Sequence, residues 1–169
     1  MNRISEPSVR FSTFEQLLEQ DGRLVYTVVG MSMLPILRQR RDIVEIRAKG
    51  SQRFRKYDVV LYKRGDKYIL HRILRVLPQG YLIAGDNNTF LERDVTDGMI
   101  LGVMVRIICS GRSIRPQDWR YRLYVRLWCA PWPLRMALLR AYRACRRFLG
   151  GLLRPLRRGA GGKPAKTKG

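Results

Sequence analysis

The sequence is poor in the residues that build metal centres and disulfide frameworks. Its 169 residues include a single histidine, His71, and only three cysteines, Cys109, Cys129 and Cys145. The cysteines fall in apolar surroundings and form no Cys-x-x-Cys pair, which is the spacing typical of zinc sites. We therefore expect no metal and no cofactor, and free thiols in a reducing compartment.

Long apolar segments are also missing. No stretch approaches the roughly 18 consecutive apolar residues that a transmembrane helix needs. Residues 1–30 carry charges throughout and lack the apolar centre of a signal peptide. The expected location is the cytoplasm, with a peripheral position on the inner face of the membrane as a further possibility.

Acidic residues are scarce, and their distribution is uneven. The chain has 34 lysines and arginines against 13 aspartates and glutamates, a net charge of +21. Residues 116–169 contain a single acid, Asp118. Such asymmetry is typical of a segment that contacts an anionic surface, either lipid headgroups or nucleic acid.

Hydrophobic patterning divides the chain into four parts. A helical segment, a β domain, a basic amphipathic helical region and a low-complexity disordered tail are predicted at residues 1–23, 24–115, 116–155 and 156–169. In the β domain, β-branched runs alternate with turn residues, as in the hairpin around Gly65-Asp66. The predicted fold class is therefore mainly β and antiparallel, with residues 86–98 as a polar loop.

Helices are predicted at both ends of the β domain. Ser12 and Glu15 have capping-box spacing and begin a short helix that Asp21-Gly22 ends. Apolar residues recur at spacings of three and four over residues 134–152, among many arginines. This basic helix is expected to be a peripheral membrane anchor, to pack on the β domain or to bind a partner. Aromatic residues suited to a membrane interface precede or begin it: Trp119, Tyr121, Tyr124, Trp128 and Trp132.

Three local features are candidates for chemistry. Ser32 lies in the apolar stretch VVGMSMLPIL, but neither the Gly-x-Ser-x-Gly elbow nor a Ser-x-x-Lys pair surrounds it. His71 on a strand would share one face with Ile69 and Ile73 and be at least half buried, a setting in which histidine is more often structural than catalytic. The third feature, Gly-Asp-Asn-Asn at residues 85–88, is a turn signal.

In their order along the chain, these features resemble a peptidase superfamily, that of type I signal peptidases and LexA-like self-cleaving repressors. The matching boxes are Ser32-Met33-Leu34-Pro35, residues 57–60 followed by His71-Arg72, and Gly85-Asp86-Asn87. Histidine in place of lysine as the base is similar to the endoplasmic-reticulum branch. The segment before Ser32 has neither the transmembrane anchor of the membrane-bound members nor the DNA-binding domain of the repressors.

The resemblance implies a LexA/signal-peptidase-like β fold and a serine endopeptidase that cleaves an extended, leader- or signal-like peptide. Ser32 would be the nucleophile and His71 the general base. The imidazole would be oriented by an aspartate, for which the resemblance leaves three positions: Asp94, Asp86 and Asp97. Four residues would contact the substrate: Gly30, Met31, Met33 and Pro35.

Two other functions stay open. A self-cleaving regulator of the LexA-like type would need an Ala-Gly or Cys-Gly bond before Ser32, and residues 1–31 contain neither. A non-catalytic module could bind membrane or nucleic acid through the basic region. Nucleic acid is the less favoured partner, because no zinc-finger, recognition-helix or RNA-binding signature accompanies the charge.

Overall fold

The centre of the fold is one antiparallel sheet. The structure, a computed structural model, describes residues 13–152, and side chains up to residue 147. The strands pair in the order β1-β2-β7-β3-β4-β5-β6, with β8 added to β7. This confirms the predicted mainly β, antiparallel fold. The strands are β1 (Arg23–Thr27), β2 (Ile43–Ala48), β3 (Val59–Arg64), β4 (Lys67–Leu77), β5 (Gly80–Ala84), β6 (Glu92–Val95), β7 (Ile100–Cys109) and β8 (Arg112–Ile114).

The α- and π-helical elements lie before and after the sheet in the sequence. They are α1 (Phe14–Asp21), α2 (Trp119–Tyr124), a π-helical turn (Val125–Cys129) and α3 (Trp132–Leu152). The capping box of α1 lies one residue later than predicted, because Thr13 is the N-cap and bonds reciprocally with Gln16. Gly22, with φ of 66°, ends α1 as expected.

The sheet buries a different apolar cluster on each face. Strand β3 lies between β7 and β4, and its side chains alternate between the two clusters, as the two-residue period of a strand requires. Val59 and Leu61 belong to the first cluster, with Leu24, Leu37 and residues of α1. The second cluster consists of Phe54, Val60, Tyr62, Ile73, Tyr81, Ile83, Val95 and Ile100.

Strand β6 lies inside the segment that was predicted to be a loop. It pairs with β5 through Tyr81↔Val95 and Ile83↔Glu92. Three of its four residues are charged, so the apolar alternation that identifies a strand is missing. Charged residues are typical of edge strands, where they discourage pairing with other chains.

A buried ion pair crosses the sheet edge between β4 and the turn after β5. Arg72 and Asp86 are both fully buried. Arg72 Nε and Nη2 donate to the two carboxylate oxygens of Asp86 at 2.9 and 2.7 Å. Arg72 Nη1 donates to the Tyr57 carbonyl at 3.0 Å and to the Tyr121 hydroxyl at 2.8 Å. The bidentate contact and these extra bonds are what a buried pair needs to offset its loss of hydration.

The same ion pair holds α2 and the π-helical turn on the sheet. The Tyr124 hydroxyl donates to Asp86 Oδ2 at 2.9 Å, and Trp128 Nε1 donates to the Asp86 carbonyl at 3.2 Å. Tyr121 is buried, and Tyr124 and Trp128 are partly buried against the first cluster, so these three residues of the predicted membrane belt bond within the protein. The compact unit that contains the sheet extends to Ala130.

A second compact unit begins at Pro131 and contains α3. Within the described residues, no helix is both long enough and apolar enough to cross a bilayer. The predicted tail at residues 156–169 lies outside the described residues.

We expect substitutions of Arg72 and Asp86 to have non-additive effects on the free energy of unfolding. Arg72→Met or Asp86→Leu alone should lower the free energy of unfolding by about 3–5 kcal/mol, because each leaves an uncompensated buried charge. The double variant should lose clearly less than the sum of the two. Urea denaturation measures all three, with Glu45→Gln at the partly exposed Glu45–Arg106 pair as control, which should change stability by about 0–1 kcal/mol. Additive losses would contradict this interpretation.

Candidate active site

Ser32 lies in the connection between β1 and β2, and this connection is fastened at both ends. The Val28 N–H donates to the Asp42 carbonyl at 2.9 Å and so closes the base of the loop. Met33 and Leu37, which are 2% and 0% exposed, anchor the middle of the loop in the first cluster. Ser32 itself is half-buried between these anchored residues.

The Gly-Asp-Asn turn holds the serine loop from the other side. The Asn87 backbone N–H donates to the Ser32 carbonyl at 2.7 Å. The Asn87 side-chain amide donates to the Met31 carbonyl at 3.1 Å. Two successive carbonyls of the loop are therefore bonded to one asparagine. The Gly-Asp-Asn box thus has a structural role in holding the serine loop.

Gly85 is the point at which the serine loop and the histidine meet. A Cβ atom built on Gly85 would lie 2.6 Å from the Ser32 carbonyl oxygen and 3.0 Å from His71 Nε2. The first distance is shorter than real Cβ atoms show and the second is unusually tight, so a side chain here would displace the Ser32 carbonyl. The absence of a side chain at residue 85 thus allows Ser32 and the imidazole to approach each other.

The Ser32 hydroxyl makes no hydrogen bond to the residues that the structure describes, His71 included. The Asn88 side-chain nitrogen lies 3.5 Å from His71 Nε2. Bonds between a nucleophile and its base are often long in the free enzyme and shorten only when substrate binds. The geometry therefore brings Ser32 and His71 to one place but leaves their direct bond unformed.

The other imidazole nitrogen of His71 is bonded to a glutamate. His71 Nδ1 lies 2.8 Å from Glu92 Oε1, and the Tyr62 hydroxyl donates to the same oxygen at 2.8 Å. His71 is 5% exposed, which confirms the predicted burial. The hydrogen bond from His71 lowers the pKa of Glu92, and Tyr62 and Arg64 lower it further, while burial opposes them. Burial raises the pKa of Tyr62, so its hydroxyl stays protonated and donates.

These contacts determine the tautomer of the imidazole. An ionised carboxylate only accepts hydrogen bonds. Glu92, with its lowered pKa, therefore requires a proton on His71 Nδ1. In the neutral ring, Nε2 then carries the lone pair, and Nε2 is the nitrogen beside Gly85 and the serine loop. This is the tautomer that a general base for Ser32 needs.

The predicted aspartates do not contact the imidazole, and this corrects the sequence interpretation. Asp86 is bonded to Arg72 on the opposite face of β4. Asp94 has a side chain that is 72% exposed and bonds to Arg64 at 2.7 Å. Asp97 accepts from the Tyr81 hydroxyl and pairs with Arg53. The carboxylate beside His71 is Glu92.

Glu92 is not predicted from the sequence, because the strand that carries it lies within the loop predicted at residues 86–98. Glu92 lies opposite Ile83 across the β5–β6 pair, which directs it to the same face as Ile73 and His71. Tyr62 was within reach of sequence analysis. The two-residue hairpin turn sets Tyr62 opposite Ile69, and therefore diagonal to His71 on the same face.

A cavity of about 480 Å³ opens beside Ser32. Its walls come from residues 26–30 at and after the end of β1, from residues 68–70 of β4 and from Phe14 of α1. Of the predicted substrate-binding residues, Gly30 and Met33 line the cavity and Met31 and Pro35 do not. Met33 is a buried wall rather than a flexible surface. A larger cavity of about 660 Å³ lies against α2 and includes neither Ser32 nor His71.

No protein-family model, curated protein or solved structure matches this chain. The resemblance to signal peptidases and LexA-like repressors therefore rests on the three boxes and stays a prediction. Among the described residues, no group of three or more histidine, cysteine, aspartate or glutamate side chains is arranged to hold a metal ion.

Gly85→Ala should push the Ser32 loop and the His71 imidazole apart and lower the stability of the protein. The added methyl would collide with the Ser32 carbonyl, and overpacking of this kind typically lowers stability by about 1–3 kcal/mol. Gly50→Ala is the matched control, since a Cβ there meets nothing within 4 Å and Gly50 has no positive φ. Urea denaturation compares the two variants, and equal stabilities would contradict the crowding at residue 85.

Glu92 should make stability depend on pH in a defined direction. Its pKa is lowered in the folded protein, so its ionised form adds stability above the unfolded value near 4.3. That contribution is lost as the pH falls through the lowered folded value. Unfolding free energies of the wild type and of Glu92→Gln, measured from pH 7 to pH 3, should therefore differ most at neutral pH and converge in acid. A gap that widens in acid would contradict the assignment.

Proposed function

We propose that this protein is a serine endopeptidase that acts on extended peptide segments. The observation that carries the proposal is the buried imidazole of His71, with Nδ1 on the Glu92 carboxylate and Nε2 beside the serine loop. If His71 had only a structural role, its buried nitrogens would need hydrogen-bond partners, but no serine loop would be needed beside Nε2. Here the backbone of a half-buried serine, whose hydroxyl makes no hydrogen bond to the described residues, meets the same glycine as that nitrogen.

In the proposed reaction, Ser32 Oγ attacks a peptide carbonyl carbon as His71 Nε2 takes its proton. The imidazolium is stabilised by Glu92, and Tyr62 keeps the carboxylate in place. Collapse of the tetrahedral intermediate breaks the C–N bond, and Nε2 returns the proton to the leaving amine. A water molecule then attacks the acyl-enzyme with the same base and restores Ser32.

The developing oxyanion needs preorganised donors. The backbone N–H groups of Ser32 and Met33 make no hydrogen bond to the described residues, so both are available to it. Gly30 stands where some bacterial members of the resembling superfamily have a serine, so no hydroxyl from that position would assist. Loss of one such donor typically costs about 2.7–4 kcal/mol, and we therefore expect a slow enzyme.

An extended substrate is favoured by the edges around the cavity. Strand β4 pairs with β5 only from Arg72 onward, so residues 68–70 have a strand partner on the β3 side alone. Strand β1 pairs with β2 alone among the described strands. A peptide between these two edges could add as a strand through its main chain, while its side chains meet the aromatic and aliphatic walls. The preferred residues next to the scissile bond are therefore apolar.

Single substitutions test the assignment of roles. Ser32→Ala and His71→Ala should each abolish cleavage of an unstructured peptide library, read by mass spectrometry. Glu92→Gln should lower kcat by about 10²–10⁴-fold, because it disturbs the tautomer and stabilises the imidazolium less. Asp94→Asn is the matched control and should leave cleavage unchanged, since its exposed side chain bonds Arg64.

The outcomes separate the alternatives. Comparable cleavage in Ser32→Ala, with folding verified by urea denaturation, would exclude the serine mechanism. A loss in Asp94→Asn equal to that in Glu92→Gln would return the orienting role to the aspartate. Cleavage confined to the chain itself, at first-order rate, would favour the self-cleaving regulator.

A further inference from the structure

An exposed apolar stripe runs along α2 and the π-helical turn. Its members, 69%, 46% and 67% exposed and four residues apart, are Trp119, Leu123 and Leu127, which we call the outer stripe. The inner face of the same segment is also spaced by four and is buried: Tyr121, Val125 and Cys129. The segment is thus apolar on two sides, and only one side is used by the core.

The π-helical turn keeps both rows straight. In an α-helix of 3.6 residues per turn, positions four apart drift steadily around the axis. The wider turn at Val125–Cys129, closed by the Ala130 N–H donating to the Val125 carbonyl at 2.8 Å, reverses this drift. The outer stripe therefore stays on one side from Trp119 to Leu127.

Basic residues border the outer stripe. Arg120, Arg122 and Arg126 are all exposed. The guanidinium of Arg120 lies 5.4 Å from the centre of the Trp119 ring. The last acid of the sequence is Asp118, so no carboxylate follows among the stripe or its neighbours.

The outer stripe is not what attaches this segment to the sheet, because Tyr121, Tyr124 and Trp128 already bond to Arg72 and Asp86. Contiguous exposed apolar residues with a tryptophan mark an interaction surface. A nucleic-acid duplex would use the arginines but gain nothing from two outward leucines. A bilayer with anionic lipid uses both, since the apolar side chains enter the interface and the guanidinium groups meet phosphate.

We propose that the outer stripe docks this protein on an anionic membrane surface, with Trp119, Leu123 and Leu127 entering the interfacial region and the three arginines contacting headgroup phosphates. The stripe shares no residue with the Ser32–His71 site, so the proposal does not depend on peptidase activity. Helix α3, taken by itself, repeats the pattern with exposed Leu134, Leu138 and Tyr142 among arginines.

Vesicle flotation of the full chain tests the proposal. The wild type should bind phosphatidylcholine vesicles that contain phosphatidylglycerol and bind pure phosphatidylcholine weakly. Trp119→Ala/Leu123→Ala/Leu127→Ala should weaken binding about ten-fold or more through lost apolar contact. Arg120→Gln, Arg122→Gln and Arg126→Gln should each weaken it about five-fold. The control Val25→Ala/Val76→Ala removes exposed apolar groups from the sheet and should bind like the wild type.

Tryptophan emission locates the contact. Vesicles should shift the emission to shorter wavelength, and Trp119→Phe should remove most of the shift, whereas Trp132→Phe should retain it. Unchanged binding in the triple variant would overturn the proposal. So would equal binding to both vesicle types, or a loss in the Val25/Val76 control as large as in the triple variant. Tight, salt-sensitive binding of duplex DNA without vesicle binding would replace the membrane by nucleic acid.

Discussion

The ion pair between Arg72 and Asp86 is the constraint on which the rest of the structure depends. Arg72 follows His71, and Asp86 lies between Gly85 and Asn87, so one buried contact fixes two adjacent positions of the candidate site. Alternation along β4 sends Arg72 to one face and His71 to the other. The pair therefore holds the strand of the base and the turn that binds the serine loop, without entering the site itself. Its desolvation cost is offset by tyrosines from α2, which makes α2 part of the support.

Each face of β4 carries a buried basic side chain, and the two side chains are paired with carboxylates in different ways. Arg72 is permanently charged and is matched by a fully buried carboxylate. His71 sits at the margin of the second cluster and is matched by Glu92, whose side chain is 11% exposed and also bonds Tyr62 and Arg64. A base that gains a proton during a reaction needs a partner that is already ionised when the ring is neutral. Glu92 meets this condition because its pKa is lowered. Asp86 is not available to the ring, because its two carboxylate oxygens are bonded to Arg72 on the other face of β4.

Sequence alone predicted the parts of the fold that depend on local rules. The hairpin at Gly65-Asp66, the end of α1 at Gly22 and the burial of His71 follow from turn chemistry, left-handed backbone and strand alternation. It did not predict β6, whose charged residues form a strand only because β5 provides a neighbour, and Glu92 was lost with it. The roles of Tyr121 and Tyr124 depend on a buried ion pair between residues far apart in sequence, which no local pattern reveals.

The segment after Asp118 has two apolar rows, one that bonds to the buried ion pair and one that is exposed. The residues that reach the ion pair, Tyr121, Tyr124 and Trp128, have polar atoms and use them in bonds. Leu123 and Leu127 have none, and Trp119 bonds nothing inward, so their exposure is not a by-product of satisfying the core. Because the π-helical turn preserves the four-residue spacing on both sides, the outward row is as regular as the inward one. A regular apolar row that the fold leaves exposed, bordered by arginines, is what the proposed contact with a surface outside the protein would use.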